Sequence, residues 1–248
     1  MTIDNNSFSQ KFTKENAPEA IVLAAGRGSR LRPLTDDIPK PLLKVKGVSL
    51  IERVIKNAKQ IGITRFHVVV RYLQDKIIEC LGDGAKLGVH IDYAYQSEES
   101  IGIPEKGLRA GLAVVKSDFV FCFCGDDLIK ASHLQQLKAM LDSSFEGVLL
   151  VKTVSETDLP RVALNERMQI IGVSNEKSAP ILIYNFGIRS KLLRKWMDIS
   201  TQFNEPLIYS LEQIIYANKL GAVNSDNLIT INTIENLNQA EMHCDSAK

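Results

Sequence analysis

The sequence predicts an α/β fold: a doubly wound, mainly parallel sheet with helices on its faces and a strand-rich insertion in the C-terminal half. Three observations predict it. Strand and helix patterns alternate from Ile21 to Tyr95. The run FVFCFC, Phe119 to Cys124, is wholly apolar and suits a central strand buried on both faces. From Gly147 onward the pattern turns to strands. With 248 residues and 45% hydrophobic content the chain can build a substantial core, and one domain over residues 19–248 is expected.

Residues 1–18 are polar and aperiodic and end in Ala-Pro, which reads as a flexible tail. Ile21 to Ala25 reads as a short buried strand. Ser49 reads as the N-cap of a helix on which Leu50, Ile51, Val54, Ile55 and Ala58 recur at helical spacing up to Gly62. Arg65 to Arg71 is the next strand, with His67 an ordinary strand residue. A helix from Leu73 to Leu81 is closed by Gly82-Asp83-Gly84, and a strand follows from His90 to Tyr95. After the central strand a helix starts near Ser132. The insertion supplies strands Val148 to Val154, Arg161 to Leu164, Gln169 to Val173 and Leu182 to Arg189. Helices are then expected at Lys191 to Asp198, Glu205 to Leu220 and Ile234 to Met242.

The first strand breaks into the loop GRGSRLRPLTDDIPKPLL. Gly26 and Gly28 remove side chains where a phosphate would approach the backbone, and they allow a nest of N–H groups that attracts anions. From Gly26 to Lys46 six cations face only Asp36 and Asp37, on a chain whose formal net charge is +1. The loop is therefore a local anion site. A dinucleotide-binding loop would want a third glycine where Leu31 stands and an acidic residue where Arg71 stands, and a P-loop would want Gly-Lys-[Ser/Thr], which is absent. A simple glycine turn beside solvated arginines leaves Pro33, Pro39 and Pro41, which stiffen the segment around Lys40, unexplained.

The near-neutral charge argues against nucleic acid as a partner. No apolar run suits a bilayer and the start does not resemble a signal peptide, so a cytoplasmic protein without a membrane partner is expected. Cys80, Cys122, Cys124 and Cys244 lack zinc-like spacing, and four scattered histidines suggest no metal cluster.

The run Leu23-Ala24-Ala25-Gly26-Arg27-Gly28-Ser29-Arg30-Leu31, then Pro33-Leu34-Thr35 and Pro39-Lys40-Pro41-Leu42, resembles the signature of the sugar-phosphate nucleotidylyltransferases, the glucose-1-phosphate thymidylyl- and uridylyltransferases among them. The resemblance implies a Rossmann-like nucleotidyltransferase domain. It implies nucleotide binding by Leu23, Ala24, Ala25, Gly26, Gly28 and Ser29. Gln96, at a strand end, would contact the base, with Gly102 or Gly107 as the accompanying glycine. Arg30 and Lys40 would be the catalytic cations, and Asp126 and Asn232 the protein ligands of Mg2+. Asp127 ranks second, because strand alternation turns it to the opposite face. Asn232 could instead cap the last helix, although Thr233 could serve there. Glu176, Lys177, Asn185 and Gly187 resemble the residues that wall the sugar-phosphate pocket.

The implied reaction moves a nucleoside monophosphate from a nucleoside triphosphate to a sugar 1-phosphate and releases pyrophosphate. Its partners are those two substrates, and a homo-oligomer is left open. Two other readings are compatible with the loop: a cytidylyltransferase acting on a phosphorylated alcohol such as phosphocholine, and a non-catalytic nucleotide-sugar-binding regulatory protein. Intact Arg30, Lys40 and Asp126 speak against the second, since a sensor need not keep transition-state charges.

Overall fold

The computed structural model describes residues 12, 16–97, 104–203, 206–215 and 218–243, without the side chains of Phe203 and His243. Gly102, Cys244 and most of the expected tail lie outside the described residues. Two compact units make up the chain. One comprises Glu19–Val115, Cys122–Ala131 and Asn227–Lys248; the other comprises Met1–Pro18, Lys116–Phe121 and Ser132–Asp226.

The first unit starts with strand β1 (Glu19–Leu23) and continues through a one-turn helix α1 (Leu34–Asp37), a small hairpin of β2 (Lys44–Val45) and β3 (Val48–Ser49), and helix α2 (Leu50–Gln60). Strand β4 (Arg65–Val70), helix α3 (Gln74–Leu81), strand β5 (His90–Tyr95) and helix α4 (Pro104–Leu112) follow, then β6 (Phe119–Cys124), of which Cys122 to Cys124 belong to this unit, and β7 (Asp127–Leu128). β1 pairs with β4 and β4 with β5, both parallel, so this part is the expected alternating βαβ architecture. α2 begins with a capping box in which the Ser49 hydroxyl and the Glu52 side chain each serve the other's backbone N–H. Such a cap is worth about 1 kcal/mol. Leu50, Ile51, Val54, Ile55 and Ala58 are the face α2 buries.

The second unit holds helix α5 (Ala131–Ser143), strands β8 (Gly147–Lys152), β9 (Arg161–Leu164), β10 (Ile170–Ser174) and β11 (Ile181–Arg189), helices α6 (Ser190–Phe203) and α7 (Glu212–Ile215), and strand β12 (Leu220–Asn224). The chain then returns to the first unit as β13 (Ile229–Thr230) and α8 (Ile234–His243). Pairing in the insertion is mostly antiparallel: β11 with β8 and β9, and β9 with β10. Phe12 packs edge-on against Phe119 with ring centroids 5.3 Å apart, and the Asn16 amide donates to Asp118 at 3.3 Å. Those two residues of the expected tail are held within this unit.

One element differs from expectation. Among the described residues of the span Glu205 to Leu220, where a single helix is expected, only Glu212–Ile215 is helical, and Leu220 instead opens β12, which pairs parallel with β8. Gly221 makes this possible, because a Cβ there would meet Met140 at 2.7 Å and Phe145 at 3.1 Å. The pairing that makes LGAVN a strand lies some seventy residues away in sequence, so no local pattern signals it.

Candidate active site

The site lies wholly within the first unit, where β1, β5 and β6 end. A cavity of about 470 Å³ is lined by the loop from Leu23 to Leu31 and by Lys40, Pro41, Gln96, Pro104, Gly107, Cys124, Asp126 and Asn232. That volume is within the range of small-ligand sites.

Backbone chemistry shapes the loop first. Ala24 N–H donates to Val69 and Gly125 N–H to the Leu23 carbonyl, which pins the end of β1. Gly28 turns through φ 64°, and the Thr35 hydroxyl donates to its carbonyl at 2.9 Å. Tyr72 in turn holds the Thr35 carbonyl at 3.0 Å. A Cβ on Gly28 would stand 3.0 Å from Lys40 Cβ, so the turn and the lysine stem fit together only because residue 28 is glycine. The N–H groups of Gly26, Arg27, Gly28 and Ser29 meet no backbone acceptor among the described residues, and a Cβ at Gly26 would point into open space. This is the physical form of an anion nest.

A small apolar cluster then fixes the charged groups. Leu31, Leu43, Val45, Leu50, Leu128, Ile231 and Ala240 pack together, joining the loop, α2, β7 and the segment before α8. The antiparallel pair of β7 and β13 sets Thr230 opposite Asp127, and Ile231 N–H donates to the Asp126 carbonyl at 3.3 Å. Asp126 and Asn232 are thereby brought side by side. Asp126 lines the cavity while Asp127 is buried at 4% exposure, as strand alternation predicts.

Four charged or polar side chains meet in the cavity. The buried Lys40 ammonium forms an ion pair with Asp126 and donates to Asn232 Oδ1 at 2.9 Å. Arg30 donates to the same oxygen at 3.1 Å. Asn232 is spared capping duty: the Thr233 hydroxyl accepts from Asn236 N–H, and Asn236 Oδ1 accepts from the N–H groups of Asn232 and Thr233. One carboxylate oxygen and one amide oxygen therefore converge on a single cation. A hard divalent ion that keeps several waters suits such a donor set, and Lys40 Nζ now stands at that point. Burial, then the neighbouring Asp127 and Asp126 carboxylates, push the Cys124 thiol well up, so the cavity wall there is neutral.

Gln96 is buried at the end of β5, and its N–H donates to Val70. A Cβ at Gly107 on α4 would come within 2.9 Å of Gln96 Oε1 and 3.3 Å of Leu23. Gly107 thus sets how closely α4 approaches that carboxamide. Arg32 is spent on the surface, paired with Asp36 at 3.0 Å. Glu176, Lys177, Asn185 and Gly187 all belong to the second unit, where Glu176 and Lys177 are exposed after β10 and Asn185 is fully buried in β11. A Cβ at Gly187 would meet Leu141, Leu137 and Phe121 at 2.6–2.9 Å, so packing against α5 already demands glycine there. Thr35 and Tyr72, which brace the loop, carry no sequence signal of that role beyond the position of Thr35 within the motif.

Loop N–H groups that meet no backbone acceptor among the described residues, flanked by aimed cations at the ends of parallel strands, suit a polyphosphate. The chain belongs to the nucleotidyl transferase family, whose profile matches residues 19–161. It is similar to the N-acetylmuramate alpha-1-phosphate uridylyltransferase of Neisseria meningitidis serogroup B, 45% identical over 89 residues, which are 36% of this chain and 38% of that one. It is also similar to the UTP–glucose-1-phosphate uridylyltransferase AglF of Haloferax volcanii, 33% identical over 147 residues, or 58% and 57% of the two chains. The matches thus span from about two fifths to just over half of these relatives. A crystal structure assigned as a glucose-1-phosphate thymidylyltransferase from Bacillus anthracis, in complex with a sucrose, shares the fold with TM-score 0.79 at 20% identity, covering 94% of this chain and 98% of that one.

Proposed function

We propose that the chain is a magnesium-dependent, cytoplasmic transferase that moves a nucleoside monophosphate from a nucleoside triphosphate to a sugar 1-phosphate, with uridine triphosphate the first donor to test. The observation that carries this reading is the convergence of Arg30, Lys40, Asp126 and Asn232 beside a loop whose N–H groups meet no backbone acceptor among the described residues. The names of the two uridylyltransferase relatives support the substrate class.

A phosphate oxygen of the acceptor attacks the α-phosphorus in line. The bond from that phosphorus to the bridging oxygen breaks, and pyrophosphate departs with the electron pair. The attacking oxygen is already deprotonated at neutral pH, so the protein's task is positioning and charge neutralisation rather than proton abstraction. Gly26 to Ser29 and Arg30 hold the β- and γ-phosphates. Lys40 bridges the α-phosphate and the incoming phosphate as charge builds between them. Gln96, with Gly107 behind it, meets the base. Asp126 and Asn232 would hold Mg2+, which would supply neutralisation of phosphate charge. The sugar phosphate is assigned to Glu176, Lys177, Asn185 and Gly187 on residue chemistry: a carboxylate suits hydroxyls and an ammonium suits phosphate.

Lys40→Ala tests the reading. Loss of one aimed charge typically costs about a hundredfold or more in rate. The variant is expected to lose pyrophosphate release on that scale while its circular dichroism spectrum and melting curve stay near wild type. Normal turnover would refute the assignment.

A further inference from the structure

The position between Asp126 and Asn232 already holds a cation of the protein's own. Lys40 Nζ pairs with the Asp126 carboxylate and donates to Asn232 Oδ1, and the guanidinium of Arg30 shares that same amide oxygen. The lysine stem lies against the Gly28 turn, with only its tip among the polar groups. An ammonium and a small divalent ion need the same oxygens, and they cannot share them at contact distance without strong repulsion. Because residue 232 is an amide, the cluster carries one negative side chain against two positive ones. A bare divalent cation meets net repulsion there.

We propose that Lys40 is a built-in occupant of the metal position, closing it to divalent ions in the free enzyme and vacating it when a triphosphate offers the ammonium another anion. This rests on reading Asp126 and Asn232 as the metal pair. The flexible four-carbon stem allows the swing, and a compact ammonium is a fair stand-in for a hard ion. Metal and triphosphate then bind with positive coupling, each raising the affinity for the other by the same factor. The arrangement reserves the metal for the loaded enzyme.

The test is Mn2+ binding to the full chain without nucleotide, followed by the electron paramagnetic resonance signal of unbound Mn2+. Wild type is compared with Lys40→Met, Lys40→Gln and each combined with Asp126→Asn; circular dichroism verifies folding, and two replacements guard against failure of one. The expected result is weak binding by wild type, binding about tenfold or more tighter in both lysine variants, and loss of that gain when Asp126→Asn is added. If wild type binds Mn2+ as tightly as the lysine variants, the proposal is overturned. A final arm measures Mn2+ held by the enzyme with uridine triphosphate, in wild type and Asp126→Asn. A deficit in that variant keeps the metal pair even where the Lys40 proposal fails, and equal retention removes both.

Discussion

Gly107 and Gly111 sit one turn apart on α4 and face different atoms, which separates binding from stability at single residues. An alanine at 107 meets the tip of Gln96 at 2.9 Å, a flexible end that can move. One at 111 meets Ile21 Cγ2 at 2.6 Å, inside a β1 side chain that is fully buried. Gly107→Ala is therefore expected to raise the KM for the triphosphate about tenfold, through a displaced Gln96, with a melting temperature close to wild type. Gly111→Ala is expected to lower stability with KM unchanged: overpacking costs about 1–3 kcal/mol, offset in part by a helix-propensity gain of about 1 kcal/mol. Steady-state kinetics and thermal melts on both variants check this. The part of the cavity lining from Leu23 to Leu31, with Lys40 and Pro41, stands in one short stretch that the sequence motif displays, whereas Gln96, Gly107, Asp126 and Asn232 are scattered along the chain. Their contacts are not displayed: Lys40 and Asn232 are 192 residues apart. That Asn232 is an acceptor for two cations is visible only once β7 pairs with β13, whereas Thr233 as the cap is already one of the sequence's two alternatives.

Local chemistry decides which elements a sequence discloses. α2 is announced by Ser49, Glu52 and its apolar spacing, and β5 by flanking turns, so both fall where expected. β12 is a strand only through its partner β8, and β13 only through β7, pairings that residue order does not display. Just beyond β12, Asp226 ties two segments of the second unit: it accepts from Thr153 N–H at 2.7 Å and from the Asn224 amide at 3.0 Å. The Thr153 N–H holds its carboxyl below the ordinary aspartate range; burial, the next influence, opposes this, and the Asn224 amide adds to the lowering. A carboxyl with a depressed folded pKa adds stability above its unfolded value, about 3.9, and loses that contribution as pH falls through the folded value. Asp226→Asn is accordingly expected to melt slightly earlier than wild type near neutral pH, by the ~0.2–1 kcal/mol of a largely exposed charged contact. The gap should close below the aspartate range. Melts from pH 7 to pH 2 decide it, and a gap that widens in acid would contradict the account.

At the scale of the molecule, the unit made of Glu19–Val115, Cys122–Ala131 and Asn227–Lys248 carries the whole cavity, although its residues come from three separate stretches of chain. The last stretch supplies Asn232 and lies beyond the family match at residues 19–161. Parallel pairing of β1, β4 and β5 was legible from alternation alone, because each crossover helix lies next to its strands in sequence. The measurement that tests the central claim most directly is pyrophosphate release with Mg2+ across ATP, GTP, CTP, UTP and dTTP, crossed with a panel of sugar 1-phosphates and phosphocholine. The account predicts release with a sugar 1-phosphate, naming both substrates at once, and its loss in Lys40→Ala. Release with phosphocholine alone, or none with any pair while the triphosphate still binds, would contradict it.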